Sequence, residues 1–563
     1  MSTRLQKLTL SDFTGGLNIR QNSFQVSDTE TPEMLNVHVD ARGGVVTRNG
    51  FRRWNGPDLA LAADWNPRHG EPHVYADGTY AVYISNNNTI LRGNSSGVFT
   101  DTLIPCNASP HLADFSTWGD DMYIACGSGL QSYSHDAATA SPIPIVGNGS
   151  WNNDYTIPVG GYMPSADVCE AHAGYLFVGS VNENYDGAGA RDYPSRLRWS
   201  HPNSPGDWAQ LDYIDILAGG GRITALKSFE DHLLIFKGSA VWALFGYDSE
   251  SWQLVQVSDE TGTVSPASVT TSESSCFFYS PSGRGGVFAM AGGRAPVLIS
   301  EPLRLVIGEM TRDDNVWLNW VAQRLFCSLP WLPNRFVTAG TGDLLGTPSD
   351  TETTTFLFDL TIKEGGAWEA ARPARGSLSI VMERPGDRKP LGVMTGPTGE
   401  PCVLILGVTE EAADVIDEAG TIEPFLSYYT TNWKDGGMEE LRKHWLRPRF
   451  IIRNPGEAVT LRVDAYRNYD NTSPYRSWTV GVASSGQTFW RDLGAADPRG
   501  DGFDWDDGSL WEGGVSGSAI VRGKALGIGR SLRLAITSIP EDRNKSWGID
   551  AITLKYNERR FTT

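Results

Sequence analysis

Two histidines four residues apart, His69 and His73, flank a glutamate in the segment HGEPH. On one helical face such a pair can hold zinc while the carboxylate acts as a general base. Here Gly70 and Pro72 oppose a helix, and Glu71 stands one position late for the H-E-x-x-H order. The segment reads as a loop without metal. GTGDLLG, from Gly340 to Gly346, misses the glycine spacing of a dinucleotide-binding turn by one residue, and no helical periodicity follows it. The chain has no Walker A loop and no cysteine–histidine arrangement suited to nucleophilic attack. Its other histidines are scattered and form no cluster. These residues predict no catalytic centre, no metal and no cofactor, and the expectation is that the protein is not an enzyme.

Nearer the C-terminus, DWDDGSLW (Asp504 to Trp511) resembles the Asp box of sialidases, S-x-D-x-G-x-T-W, with Asp504 replacing the serine and Leu510 the threonine. In that family the box is a folding turn and not the catalytic centre. Asp504, Asp506 and Asp507 offer oxygen ligands for calcium, but a full EF-hand loop needs a bidentate glutamate further on and a glycine at another offset. A solvated acidic turn is the favoured reading. Trp478, Trp490, Trp505 and Trp511 present flat faces of the kind that stack on sugars. Large aromatics also fill the space between sheets and at subunit contacts, and packing is the preferred role.

The elements that carry these residues follow from composition and periodicity. The 563 residues include 62 Gly, 31 Pro and 19 Trp with only 20% charged, a balance of many short strands and turns. An all-β fold is expected. Over residues 61–420 an alternating apolar run after a polar turn recurs: GTYAVYIS (Gly78 to Ser85), GDDMYIACG (Gly119 to Gly127) and HAGYLFVGS (His172 to Ser180) begin the series. FEDHLLIFKG (Phe229 to Gly238), SCFFYSPSG (Ser275 to Gly283), AQRLFCSLP (Ala322 to Pro330) and LGVMTG (Leu391 to Gly396) continue it. That rhythm predicts a divergent β-propeller of six or seven blades. From 421 to 563 longer alternating strands, such as Leu446 to Asn468 turned by Asn454-Pro455-Gly456, predict a jelly-roll-like β-sandwich. The six cysteines show no C-x-x-C pair and sit in apolar runs, as buried thiols do. The opening MSTRLQKLTLSDF lacks a signal-peptide core and no apolar run approaches a membrane span, so folding in a cytoplasm is expected.

Charge divides the chain the same way. Lys and Arg total 47 against 66 Asp and Glu, for a net −19. Residues 1–55 carry +2, residues 431–563 carry +3, and residues 56–430 carry −24. Sequence-reading nucleic-acid recognition is disfavoured by that sign.

The N-terminal 60 residues read as an arm with a β-hairpin. Gly15-Gly16 permits a positive-φ turn, Leu35, Val37 and Val39 alternate, and Arg42-Gly43-Gly44 turns the chain into Val45 to Arg48. Asn49-Gly50 supplies a second turn, before Arg52 and Arg53. The segment is either an ordinary hairpin beginning the first domain or an arm that docks on a partner or on the sandwich.

These residues resemble the opening of tail-nozzle (tail tubular protein B-like) proteins of short-tailed bacteriophages. The resemblance rests on Phe13, Gly15, Gly16 and Leu17 in F-x-GGLN, on Asn36 in the following strand, and on Gly44, Arg48 and Gly50 in the Gly-rich turn and R-x-G phrase, with Arg52 and Arg53 beside it. YYTTNWKDGG (Tyr428 to Gly437) and W-x-I-D-x-I-x-L-x-Y (Trp547 to Tyr556) are similar to that family's closing sandwich. The resemblance implies a virion tail protein, synthesised in the host cytoplasm, that forms a ring, commonly a homo-hexamer, below the portal and tail adaptor. It implies tail fibre or spike proteins as neighbours and transient, non-sequence-specific passage of double-stranded DNA. A hexamer would carry about −114 charges, and acidic side chains on the lumen would keep phosphate from sticking. The alternative is a host-receptor or glycan-binding tail protein.

Overall fold

The computed structural model describes residues 5–19, 26–40, 42–55, 67–85, 89–101, 113–126, 130–134, 143–144, 165–183, 191–206, 208–209, 211–283, 285–292, 294–310, 316–331, 353–363, 365–374, 376, 378–395, 401–409, 413–416, 422–437, 439–453, 458–470, 472–482 and 518–559. GTGDLLG, Asp504 to Trp511, and Trp490 lie outside them, so the calcium and Asp-box readings concern residues that are not described.

The recurring apolar runs form strands because each alternates between two buried faces and is bounded by Gly, Asp or Asn turns. Among the described residues seven sheets follow one another along the chain, antiparallel but for one parallel pairing, of Ala413–Val415 with Gly50–Arg53, in the last. Their innermost strands are His69–Val74, Asp114–Trp118, Ser165–His172, Ile223–Phe229, Val269–Thr271, Trp317–Val321 and Leu378–Glu383. Each packs against the next, and Leu378–Glu383 packs back against His69–Val74, so the sheets close into a propeller. We number the blades in that order. The expected loop at HGEPH is corrected: it is the inner strand of blade 1. Pro72 is tolerated because this edge strand pairs on one side alone, with Tyr80–Ser85, and spends no N–H on a second neighbour.

Blade 7 closes the ring with a borrowed strand. Its first three strands, Leu378–Glu383, Pro390–Thr395 and Pro401–Thr409, are followed in the sheet by Gly50–Arg53 from the N-terminal segment, antiparallel to Pro401–Thr409. Ala413–Val415 and Ile422–Pro424 extend the sheet beyond it.

The C-terminal part is a two-sheet sandwich into which the N-terminal segment is woven. One sheet runs Ser518–Arg522, Arg449–Arg453, Gly548–Arg559, Arg442–Trp445, Gly527–Gly529. Leu5–Leu10 and Val45–Thr47 also pair with Gly548–Arg559, and Val37–Val39 pairs with Val45–Thr47. The other sheet runs Glu33–Leu35, Tyr428–Thr430, Leu532–Ser538, Val459–Arg467, Arg476–Val482. The textural boundaries at 60 and 420 are thus crossed by the sheets. A short isolated hairpin cannot bury its apolar face, and this one does so on distant strands. Trp445, Trp478 and Trp547 fill the sandwich core, and one continuous cluster runs from there through Phe13, Leu17 and Val37 to Phe277, Leu318 and Trp368 of blades 5 and 6. Truncating any of these buried tryptophans to alanine costs about 3–5 kcal/mol. Among the described residues no helix is long and apolar enough to cross a membrane.

Candidate functional site

The segment singled out by sequence lies at the junction of propeller and sandwich. Phe13 is buried and meets the Tyr429 ring edge-on at 5.4 Å. Gly15 has no room for a Cβ, which would stand 2.5 Å from the Glu30 side chain and 2.6 Å from the Thr29 carbonyl. Gly16, at φ +67°, packs so closely on the Trp368 backbone that a Cβ would lie 2.6 Å from its carbonyl oxygen. Leu17 is buried in the same cluster. A Cβ on Gly44 would meet Asp550 Oδ1 at 3.0 Å and Arg453 Nη2 at 3.1 Å, where Arg453 bridges Asp40 and Asp550.

Asn36 and Arg48 form the centre of this junction. Asn36 adopts φ +54° and is 2% exposed. Its Nδ2 donates to the Leu426 carbonyl at 2.8 Å, and its Oδ1 accepts from Arg48 Nε and from the Arg372 backbone N–H, each at 2.8 Å. Arg48 Nη1 and Nη2 each donate to Asp414 at 2.8 Å, Nη2 also to the Arg372 carbonyl at 2.8 Å. The guanidinium lies between the Phe51 and Phe425 rings, 3.7 Å from each centroid. Asp414 also accepts from the Phe51 and Ala374 backbone N–H groups at 2.8 and 2.7 Å. Gly50, buried, starts the borrowed strand, while Arg52 is exposed and Arg53 half-buried, its Nε donating to the Asn55 carbonyl at 3.3 Å. Arg48, Arg52 and Arg53 therefore do not share one surface: Arg48 is sequestered inside. The segment pairs with strands of the sandwich through Leu5–Leu10, Glu33–Leu35 and Val45–Thr47 and with blade 7 through Gly50–Arg53.

A second assembly of polar side chains, which sequence reasoning did not find, occupies the propeller axis. Glu71, Asp114, Glu170 and Lys227 come from the inner strands of blades 1, 2, 3 and 4. Asp114 Oδ1 accepts from the Phe115 N–H and Oδ2 from the Cys169 N–H, both at 3.0 Å. Glu170 Oε1 accepts from the Ser228 N–H at 2.9 Å. Burial pushes the Asp114 carboxyl up to about 8, with Glu170 adding repulsion, and burial raises Glu71 and Glu170 as well. The carboxylates in turn, Glu170 foremost, hold the Lys227 ammonium above its ordinary value against the opposing effect of burial. His69, whose Nδ1 lies 3.0 Å from the Ala113 carbonyl, is pushed down to about 4 by burial and is neutral. A cavity of 160 Å³ adjoins these groups, lined by Glu71, Asp114, Lys227, Asn319, Trp317 and Trp320 among others. No local motif announces this set. Its signal is positional: charged residues in the strands that precede the first four apolar runs.

Glu230, Asp231 and His232 at a hairpin tip of blade 4 are, among the described residues, the set of three metal-capable side chains whose ligand atoms lie within 4.8 Å of one another. His232 Nδ1 is 3.1 Å from Asp231 Oδ1 and the ring packs against Phe245. Hydrogen bonding and aromatic packing account for that arrangement. His69 and His73 lie on a strand and not on a helix, so the zinc-binding geometry is absent there. Trp478 is 5% exposed inside the sandwich and packs as expected.

No protein-family model matches the chain, and no curated protein matches it. Among solved structures, a streptogramin B lyase is similar at 8% identity, over 64% of this chain and 98% of that one, with a TM-score of 0.36. A catalytically inactive virginiamycin B lyase from Staphylococcus aureus with quinupristin is similar at 10% identity, over 63% of this chain and 99% of that one, with a TM-score of 0.34. Both neighbours are enzymes, which overturns the expectation that the chain is not one. At these TM-scores the likeness transfers no activity to this chain.

Proposed function

We propose that this protein is a structural component of a phage virion tail, forming a ring below the portal–adaptor complex through which double-stranded DNA leaves. The observation that carries the reading is the N-terminal phrase from Phe13 to Gly50, which resembles that of tail-nozzle proteins and here ties both sheets of the sandwich, through Val45–Thr47 and Glu33–Leu35, to blade 7. Such lacing makes one mechanically continuous body, as a conduit wall under pressure requires. Among the described residues the propeller axis holds a cavity of 160 Å³, too small for a duplex, which would then pass between copies and not through a single propeller. The near-neutral ends of the chain suit contacts with the adaptor and with neighbouring copies, where a strongly like-charged surface would be repelled. Fibre or spike proteins would then attach to the outer surface.

The test is electron microscopy of the purified protein, alone and mixed with its portal–adaptor complex. Hollow rings seated on the connector support the proposal. Isolated particles that ignore the connector under assembly-competent conditions sink it.

A further inference from the structure

The axial cavity differs from the packed remainder of the propeller in what its walls leave undone. Among the described residues, neither the Glu71 nor the Lys227 side chain makes a hydrogen bond or a contact ion pair, although both line the cavity. The other charged groups are accounted for. Asp114 spends both oxygens on backbone N–H groups, and Glu170 is the carboxylate that acts most strongly on Lys227. Three carboxylates thus face one lysine, and Glu71 is the one without a donor. Asn319 Oδ1, 3.4 Å from the Thr270 hydroxyl, and the indoles of Trp317 and Trp320 complete the nearby wall.

We propose that this cavity is a binding site for a small organic ammonium ion, with its N–H donors on the Glu71 carboxylate and Asn319 and its carbon body against the tryptophans. Size sets the scale: a cavity of about 150 Å³ holds benzene, so 160 Å³ admits a molecule of about six heavy atoms. Sign sets the charge, because three carboxyl groups face a single lysine and an added cation lessens that imbalance. A bare metal ion fits poorly. It needs several ligand atoms drawn together around one point, and Glu71, Asp114 and Glu170 do not form such a set. An alkylammonium suits both the separated polar groups and the aromatic wall, since indole attracts organic cations strongly. This inference is independent of ring assembly.

The experiment is titration of the full-length protein with butylamine, followed by calorimetry and tryptophan fluorescence, with 1-pentanol as the uncharged probe of similar size and Mg²⁺ as the inorganic cation. Saturable one-to-one binding of butylammonium, with pentanol at least tenfold weaker, is expected. Glu71→Gln preserves the side-chain volume and should weaken amine binding at least tenfold, whereas the exposed Arg52→Ala should leave it unchanged. Equal binding of amine and pentanol, binding of Mg²⁺ in preference to the amine, no saturable amine binding, or undiminished binding by a folded E71Q protein overturns the proposal. Should E71Q fail to fold, the amine–pentanol comparison on the native chain decides alone.

Discussion

Replacing Arg48 with methionine removes a cation from a site where almost nothing is left to water. The side chains of Arg48 and Asp414 are 9% and 0% exposed, and the two parallel 2.8 Å bonds between them make a bidentate pair. Methionine keeps part of the volume between Phe51 and Phe425, but Asp414 would keep only its two backbone donors and no counter-charge. Breaking a buried pair in this way costs about 3–5 kcal/mol, mostly because the remaining charge is stranded. Loss of the guanidinium between two rings adds about 0.5–2 kcal/mol. At about 1.4 kcal/mol per tenfold, the folding equilibrium should fall by at least two powers of ten. Equilibrium urea unfolding followed by tryptophan fluorescence measures this directly. The double variant Arg48→Met with Asp414→Leu should recover most of the loss, because a well-packed apolar replacement of a buried pair is often neutral or better. An R48M protein within about 0.5 kcal/mol of the native chain would refute the reasoning, since that is the scale of ordinary surface substitutions. The result also bears on assembly: Arg48 variants that fail to form rings would report misfolding, and Arg52 or Arg53 variants are the ones that probe an interface.

Gly16→Ala should destabilise by more than the usual ~1 kcal/mol of a strained left-handed residue, because its Cβ would also press on the Trp368 carbonyl at 2.6 Å; thermal unfolding measures it, and an unchanged midpoint counts against the packing described. Glu369, 2% exposed and bonded through Oε1 to the Val39 N–H at 2.7 Å, has its carboxyl pushed up to about 8 by burial. A carboxyl whose folded value is raised binds its proton more tightly when folded. Its contribution to stability is therefore intact below the unfolded value near 4.5 and is lost as pH rises toward 8, by several kcal/mol at the order-of-magnitude level. Glu369→Gln should flatten that slope in urea unfolding at pH 6 and pH 9, and an unaltered slope would assign the pH dependence elsewhere. Deleting residues 1–11 strips Leu5–Leu10 from the edge of Gly548–Arg559 and should speed amide exchange at Ile552 to Asn557; unchanged protection there would mean the strand contributes little.

The parts of the fold that could be read from sequence share a physical character. All seven recurring apolar runs contribute the second strand of a blade, such as Asp121–Ala125, Tyr175–Glu183 and His232–Lys237. A second strand has sheet on both edges and core on both faces, so its composition is apolar throughout and its turns are sharp. The inner strands were harder to read because one of their faces looks into the axis, and there Glu71, Glu170 and Lys227 replace apolar residues. HGEPH looked like a loop for that reason, with a glycine under Met382 and a proline on an edge that needs no donor. The arm failed differently. Its hairpin residues were identifiable, but Arg48 and Asp414 are separated by 366 positions, and no local pattern pairs residues at that distance.

Those long-range pairings constrain how the acidic charge acts in any ring. The −24 of residues 56–430 belongs to the propeller region, whose axis already holds carboxylates around Lys227 and has no room for a polymer. Repulsion of DNA phosphate would therefore have to come from the outer faces and edges of blades turned toward a shared lumen. Lacing by the arm fixes which edges are available: blade 7 is occupied by Gly50–Arg53, and the outer strand of blade 6, Ala367–Ala371, packs against strands of the N-terminal segment. The outer strands of the earlier blades remain, among them Gln253–Ser258 of blade 4, largely exposed and without a charged residue. An uncharged open edge is suited to contact between copies, and a charged one to facing DNA. If copies meet through that edge, Val255→Lys should block ring formation on the connector while leaving the monomer's unfolding midpoint in place. Rings that form normally from V255K chains would move the contact to another blade.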